Sequence, residues 1–246
     1  MSKVLFVCEG NSEVFLLYKI LKKEFNLVDC KLEKNGNLVL EEKSIPKTLL
    51  GNIENKEIYF ILLGGESKLK AHITELCSDR EFETFNSILF FMDADYKVEE
   101  ETGFQRTEKA IKDVINIIKE NRENKEVLLD YFISPNNKDD GMIENLLIEA
   151  INCEEIKNYI KSDVIPKIKQ MEEAEITNEA KSTFIMIAAT QNPLRVNTSS
   201  FITSCYDKLD KDNISFKKFR KNNNSYILFI YWDIFSLLYF SSVIIL

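Results

Sequence analysis

The stretch ILFFMDADYK at residues 88–97 constrains this chain more than any other. Apolar and aromatic residues from Ile88 to Met92 run without interruption into Asp93-Ala94-Asp95. A continuous apolar run of strand length suits a central strand of a parallel sheet, covered on both faces. Open α/β sheets bind their ligands at the carboxyl ends of such strands. Alternate side chains on a strand point the same way, so the two carboxylates can share one cation. The competing reading is local: acids that mark the strand's exit and favour the start of the next helix.

The rest of the chain repeats the strand-then-helix rhythm. Residues 3–8 (KVLFVC) read as a first strand, followed by Glu9-Gly10-Asn11-Ser12-Glu13 and an apolar-periodic helix over 14–25. Gly10 permits a tight turn there, and Asn11 or Ser12 can cap the helix. Residues 27–32 and 38–40, around Asn35-Gly36, are expected to form a short strand pair. Residues 57–63 (EIYFILL) are a second buried-type strand ending at Gly64-Gly65, with a helix over 67–77. After the aspartates come an acidic loop at 99–103, a helix over 107–121, a strand over 127–134 closing at Pro135, and a helix over 141–151. Strands alternating with helices of ordinary length predict an α/β fold with a largely parallel sheet flanked by helices.

From residue 154 the pattern turns helical, with segments at 154–173 and 177–190 interrupted near Pro166 and at the acidic patch 172–175. A lysine-rich helix is expected over 207–221. Residues 226–246 (YILFIYWDIFSLLYFSSVIIL) are almost wholly apolar over about the length that spans a bilayer, and Lys217, Lys218, Arg220 and Lys221 precede them. Asp233 opposes a span; a helix or strand completing the core or a dimer interface is the alternative. The expected organisation is an α/β domain over 1–153, a helical extension over 154–221 and an apolar tail over 222–246.

Composition removes several chemistries. The formal charge is -8 and the only histidine is His72. One histidine leaves little room for histidine-rich zinc or iron sites, and none of the usual context for a Ser-His-Asp or Cys-His nucleophile. The five cysteines are scattered and contain no CxxC pair, a usage that fits reduced thiols in the cytoplasm. The opening MSKVLFVCEG carries too short an apolar run for a secretory signal. An acidic chain lacks the basic face of a simple electrostatic nucleic-acid binder, but a divalent cation can supply the positive charge for phosphates. Carboxylate chemistry with a hard metal is what remains.

If the strands are parallel, the Glu9–Glu13 loop, Gly64-Gly65 and Asp93/Asp95 share one rim. Glu13, about a turn into its helix, has a simpler reading as an acid at a helix N-terminus. Converging acids on one rim repel each other, and a cation offsets that repulsion.

The ordered set VLFVCEGNSE, ILLGG and FFMDAD resembles the Toprim domain of topoisomerases, bacterial primases, OLD-family nucleases and small ribosomal-RNA maturation nucleases. Its pattern is a strand ending in Glu-Gly, a glycine turn after the next strand, and a strand ending in Asp-x-Asp. Glu9-Gly10, Gly64-Gly65 and Asp93-Ala94-Asp95 fill those positions in order. YFISPNNKDDGMIENLL is similar to a Toprim-related group of bacterial and archaeal proteins with Gly-x-x-Glu opening a helix, which adds Glu144 to the acidic set. The resemblance covers about residues 3–150 and extends weakly to about 221. One departure is that Tyr96-Lys97 and an acid-rich loop follow the aspartates, where a glycine turn is more usual.

The resemblance implies Mg²⁺- or Mn²⁺-dependent work on phosphodiesters. Glu9, Asp93 and Asp95 are then the catalytic set, Glu9, Glu13, Asp93, Asp95 and Glu144 the metal ligands, and Gly10, Gly64 and Gly65 the turns against the bound group. A small stand-alone nuclease acting on DNA or RNA follows, with a separately encoded ATPase partner and a role in phage defence suggested by the OLD likeness. A homodimer and membrane contact through 226–246 are the other expected associations. Two alternatives stay open. One is a non-catalytic Toprim-like module that binds a nucleotide or a partner. The other is a DxD metal-dependent nucleotidyl or glycosyl transferase.

Overall fold

The computed structural model describes residues 2–34, 37–38, 40, 47–98, 100–123, 126–191, 194–195 and 197–220. The Asn35-Gly36 turn, Glu99 and the apolar tail at 226–246 lie outside the described residues.

The chain begins with β1 (Ser2–Cys8), α1 (Asn11–Glu24) and a two-stranded ribbon of β2 (Glu33–Lys34) and β3 (Asn37–Leu38). Next come β4 (Thr48–Ile53), β5 (Lys56–Leu62), α2 (Leu69–Cys77), β6 (Ser87–Asp93), α3 (Gly103–Asn121), β7 (Leu128–Ser134) and α4 (Ile143–Ala150). The main sheet has the order β4-β5-β1-β6-β7, in which β5, β1, β6 and β7 are parallel and β4 pairs antiparallel with β5 at the edge. The fold is therefore α/β with a mostly parallel sheet, as the strand–helix rhythm predicts.

Burial explains the uninterrupted apolar strands. Leu89 and Phe91 of β6 join one core layer, and Ile88, Phe90 and Met92 join the other. Along β1, Val4, Phe6 and Cys8 face the first layer while Leu5 and Val7 face the second. The first layer is covered by α1 and α4, the second by α2 and α3 through Leu69, Ile73, Ile111, Val114 and Ile118. The order in which strands are added reverses beside β1: β5 lies on one side of it and β6 on the other. That reversal opens a crevice at the carboxyl ends of the strands.

The helical region that follows contains α5 (Glu154–Tyr159), α6 (Ile165–Lys169), α7 (Glu179–Ala189) and α8 (Thr198–Cys205), with helical residues at 214–220. It adds to the first core layer: Phe184, Ile187, Phe201, Ile202, Phe216 and Phe219 are buried there, and the Phe219 ring meets those of Phe91 at 5.6 Å and Phe132 at 4.9 Å. Among the described residues no helix is long and apolar enough to cross a membrane.

Several element bounds differ from the sequence reading. β4 is absent from that reading because Gly51 interrupts its apolar run; Gly51 has φ +157 and lies where a Cβ would meet Val28 O at 2.6 Å. Helix α3 starts at Gly103 rather than 107, since Thr102 caps it by accepting the Gln105 N–H at 3.2 Å. Pro166 does not break its helix: a π-helical turn at Ile160–Val164 joins α5 to α6. The lysine-rich segment is a 3-10 turn at Tyr206–Lys208 followed by helical residues 214–220, not one helix from 207.

Candidate functional site

Parallel β5, β1 and β6 bring the expected rim together. The Glu9 N–H donates to Phe91 O at 3.0 Å, and the Gly64 N–H donates to Glu9 O at 2.9 Å. Glu9 is thus clasped between the ends of β5 and β6. Its carboxylate reaches across β6, where Oε2 accepts the Asp93 backbone N–H at 3.0 Å. Gly64 and Gly65, at φ +69 and +125, adopt left-handed backbone that turns the chain back over this edge. The turn delivers Glu66, whose backbone N–H interacts with the Glu9 carboxylate.

Glu13 lies one turn into α1 and is almost fully buried, with Oε2 accepting the Gly10 N–H at 2.9 Å. A Cβ on Gly10 would stand 3.1 Å from that oxygen, so glycine leaves room for the carboxylate. Glu144 comes from the first turn of α4 and is equally buried. Its Oε1 accepts the Thr198 hydroxyl at 2.7 Å, while Oε2 is buried with no hydrogen-bond partner.

The two aspartates are treated differently by the fold. The sequence reading puts both on one strand face, but β6 ends at Asp93, and Asp95 sits beyond it at φ +55. Strand alternation therefore does not govern their relation. Asp93 Oδ1 accepts the Ile143 N–H at 2.8 Å, tying β6 to the start of α4. Asp95 is half-buried; its carbonyl accepts the Gly141 N–H at 2.7 Å. Helix α3 closes the turn from the other side: a Cβ on Gly103 would meet Ala94 O at 2.3 Å and Asp95 O at 2.7 Å, so only glycine permits this approach. The Thr107 hydroxyl donates to Asp93 O at 3.2 Å.

These acids perturb one another. Burial first, then the Glu9 and Glu144 charges, push the Glu13 carboxyl up to about 7. Asp93 is held well above the usual carboxylate range by burial and then by Glu13, Glu9 and Glu144. Glu9 is raised by burial, with Asp95 and Glu66 adding repulsion. The rim thus divides into an inner set (Glu13, Asp93, Glu144) and an outer set (Asp95, Glu66), with Glu9 between them.

All the acids singled out from sequence meet here except that Asp95 stands on the outer side. Sequence reasoning missed Glu66, Thr198 and Arg106. Arg106 reaches Glu66 Oε2 at 3.7 Å and Tyr96 O at 3.5 Å. Glu66 directly follows Gly64-Gly65 and was legible as an acid after a glycine turn; Thr198 carried no signal, being 54 residues from Glu144. Lys97 and Lys138 are exposed. His72 lies in α2.

Every donor in the set is a carboxylate oxygen, the ligand type of a hard divalent cation. The orphaned Glu144 Oε2 and the elevated acids fit such a cation as compensation. Among the described residues no three His, Cys, Asp or Glu side chains already stand in coordination geometry. The carboxylates of Glu9, Glu13 and Asp93 each accept a backbone N–H through one oxygen, the kind of outer hydrogen bond that metal-ligating carboxylates also carry.

Comparison with curated proteins and with solved structures finds no match. A family described as "protein of unknown function (DUF3226)" matches residues 2–222. That span covers the whole sheet and the helical region with every residue of the acidic rim, and the chain belongs to this family.

Proposed function

We propose that the protein is a Mg²⁺- or Mn²⁺-dependent phosphodiester hydrolase of Toprim type, acting on nucleic acid. One observation carries this reading: Glu9, Glu13, Asp93 and Glu144 converge from the end of β1, α1, β6 and α4 on one spot, at a charge density that is unfavourable without a cation. Glu13, Asp93 and Glu144 would hold the ion, with Glu9 and Asp95 on its solvent side. A bound divalent ion supplies Lewis acidity toward a phosphoryl oxygen and lowers the pKa of coordinated water.

The chain's own residues have distinct tasks in this reading. Glu9, whose pKa burial raises, is suited to accept or return a proton at the outer edge of the site. Gly64 and Gly65 leave the rim open: a Cβ on Gly65 would meet nothing within 4 Å. Thr198 orients Glu144, and the Ile143 N–H orients Asp93. A separately encoded ATPase partner and a defence role remain part of this proposal, on the OLD likeness alone.

A second reading has its own observation. Glu9, Glu13 and Asp93 each accept a backbone N–H, which is what acids that only brace loops and helix starts would do. A non-catalytic binding module follows from that. Incubating the full chain with plasmid, linear and single-stranded DNA and structured RNA, in Mg²⁺, Mn²⁺ or EDTA, separates the two. The hydrolase reading expects metal-dependent cleavage that Glu9→Gln and Asp93→Asn abolish. Cleavage of no substrate, or cleavage indifferent to both substitutions, overturns it.

A further inference from the structure

The turn after the aspartates holds two side chains that the acidic site does not use. Tyr96 directly follows Asp95, and 45 % of its surface is exposed. Its hydroxyl donates to Asn145 Oδ1 at 3.3 Å, on the helix that carries Glu144. Its carbonyl accepts from Arg106 Nη1 at 3.5 Å, on the helix that packs against the other side of the turn. Tyr96 therefore bridges α3 and α4 across the mouth of the acid cluster, with both ends of the residue anchored and its ring surface partly open.

Arg106 is positioned but not saturated. Its two contacts, 3.7 Å to Glu66 Oε2 and 3.5 Å to Tyr96 O, are longer than the roughly 2.7–3.2 Å of a well-formed N–H···O bond. Arg122 offers the contrast: its guanidinium is buried and donates to Phe82 O at 2.6 Å, Glu83 O at 2.8 Å and Phe85 O at 3.0 Å. Arg122 is a structural brace; Arg106 keeps its planar fork available beside Glu66, at the edge of an acidic rim that otherwise repels phosphate.

We propose that Arg106 and Tyr96 form the seat of the substrate strand, Arg106 taking a backbone phosphate and Tyr96 stacking on an unpaired base, so that single-stranded or unpaired nucleic acid is preferred over duplex. This rests on the phosphodiesterase reading above. The duplex is disfavoured because its bases offer their faces only to one another, whereas an exposed ring next to a cation is the usual platform for single strands. The phosphate on Arg106 would lie on the outer side of the rim, where Glu66 is displaced as the guanidinium's partner.

The test is binding rather than turnover. The full chain is titrated into a labelled single strand and the matching duplex, in Ca²⁺ in place of Mg²⁺, at several salt concentrations, and followed by fluorescence anisotropy. Wild type binds the single strand more tightly than the duplex. Tyr96→Ala weakens single-strand affinity by about five- to a hundredfold and leaves duplex affinity unchanged, while Tyr96→Phe retains the wild-type preference. Arg106→Ala weakens both and lowers the slope of log affinity against log salt by about 0.7 for the single strand. Arg106→Lys keeps the slope with reduced affinity, because a lysine lacks the fork. Equal wild-type affinity for single strand and duplex, or Ala variants matching wild type in affinity and slope, overturns the seat. The two proposals fail separately. Cleavage lost in Asp93→Asn but with KM untouched in both Ala variants removes the seat alone. Seat-dependent binding with no metal-dependent cleavage removes the hydrolase reading alone.

Discussion

Glu9 and Asp93 lie 84 residues apart in sequence and are joined by a hydrogen bond from the Asp93 backbone N–H to Glu9 Oε2 at 3.0 Å. The bond fixes the end of β1 against the end of β6 and sets the geometry of the acidic rim. Glu9→Gln preserves an acceptor for that N–H while removing a charge. The variant is expected to fold with a melting temperature near wild type and to lose metal-dependent hydrolysis by at least about a hundredfold, the usual scale for a removed proton-transfer group. Parallel melting curves and cleavage assays check this.

Glu13 gives a pH signature. Its folded pKa is about 7 against an ordinary 4.5, through burial and then the Glu9 and Glu144 charges. Between those values the folded state binds more protons than the unfolded state, so this group's contribution to stability is complete below about 4.5. It is lost as pH rises through 7. Glu13→Gln, which still accepts the Gly10 N–H, removes the effect. The variant should match wild type near pH 4.5 and exceed it at pH 8 by up to the order of 3 kcal/mol, measured by urea denaturation across pH.

A divalent cation should reverse the same penalty. At about a hundredfold over its dissociation constant, Mg²⁺ or Mn²⁺ stabilises by roughly 2.7 kcal/mol. For a chain of this size that is about 5–10 °C in melting temperature. The shift should be larger at pH 8 than at pH 5.5, since the ligands must be ionised. EDTA should erase it, and Glu144→Gln or Asp93→Asn should reduce it. Calorimetric titration of the metal alone gives an independent reading.

The turn bearing Asp95 depends on a close backbone approach. A methyl group at residue 103 would stand 2.3 Å from Ala94 O, so Gly103→Ala forces α3 away from the turn. The expected cost is about 1–3 kcal/mol by chemical denaturation. A weaker Mg²⁺-induced stabilisation accompanies it, because the carboxylates shift with the turn.

Arg122 is expected to matter for stability and not for the site. Its carbonyl partners Phe82, Glu83 and Phe85 close the loop before β6. Arg122→Ala removes the guanidinium from those acceptors and opens a void, at a cost of about 3 kcal/mol or more. The metal response per folded molecule should be unchanged, read from titrations well below the melting transition.

Much of the fold is legible before any coordinates. Uninterrupted apolar strands at residues 57–63 and 88–92 announce a sheet covered on both faces, because alternation is absent only when neither face meets water. Parallel strands then place Glu9, Gly64-Gly65 and Asp93 on one edge by topology alone. Strand β4 was hidden because its apolar run is broken by a glycine that serves a backbone approach, not a turn. The start of α3 was hidden because Thr102 and Gly103 look like loop residues until a cap is needed.

Local sequence thus determined the residue types at the rim, the order in which strands deliver them and the excess of negative charge. Tertiary structure alone decided which acids are buried together. Asp95 left the strand at positive φ and moved to the outer side, while Glu144 came in from α4 with Thr198 as its partner, 54 residues away. Periodicity reports which face of an element an acid occupies. Its ionisation and its partners depend on the depth of burial and on charges brought close by other segments, and those exist only once the chain has closed around them.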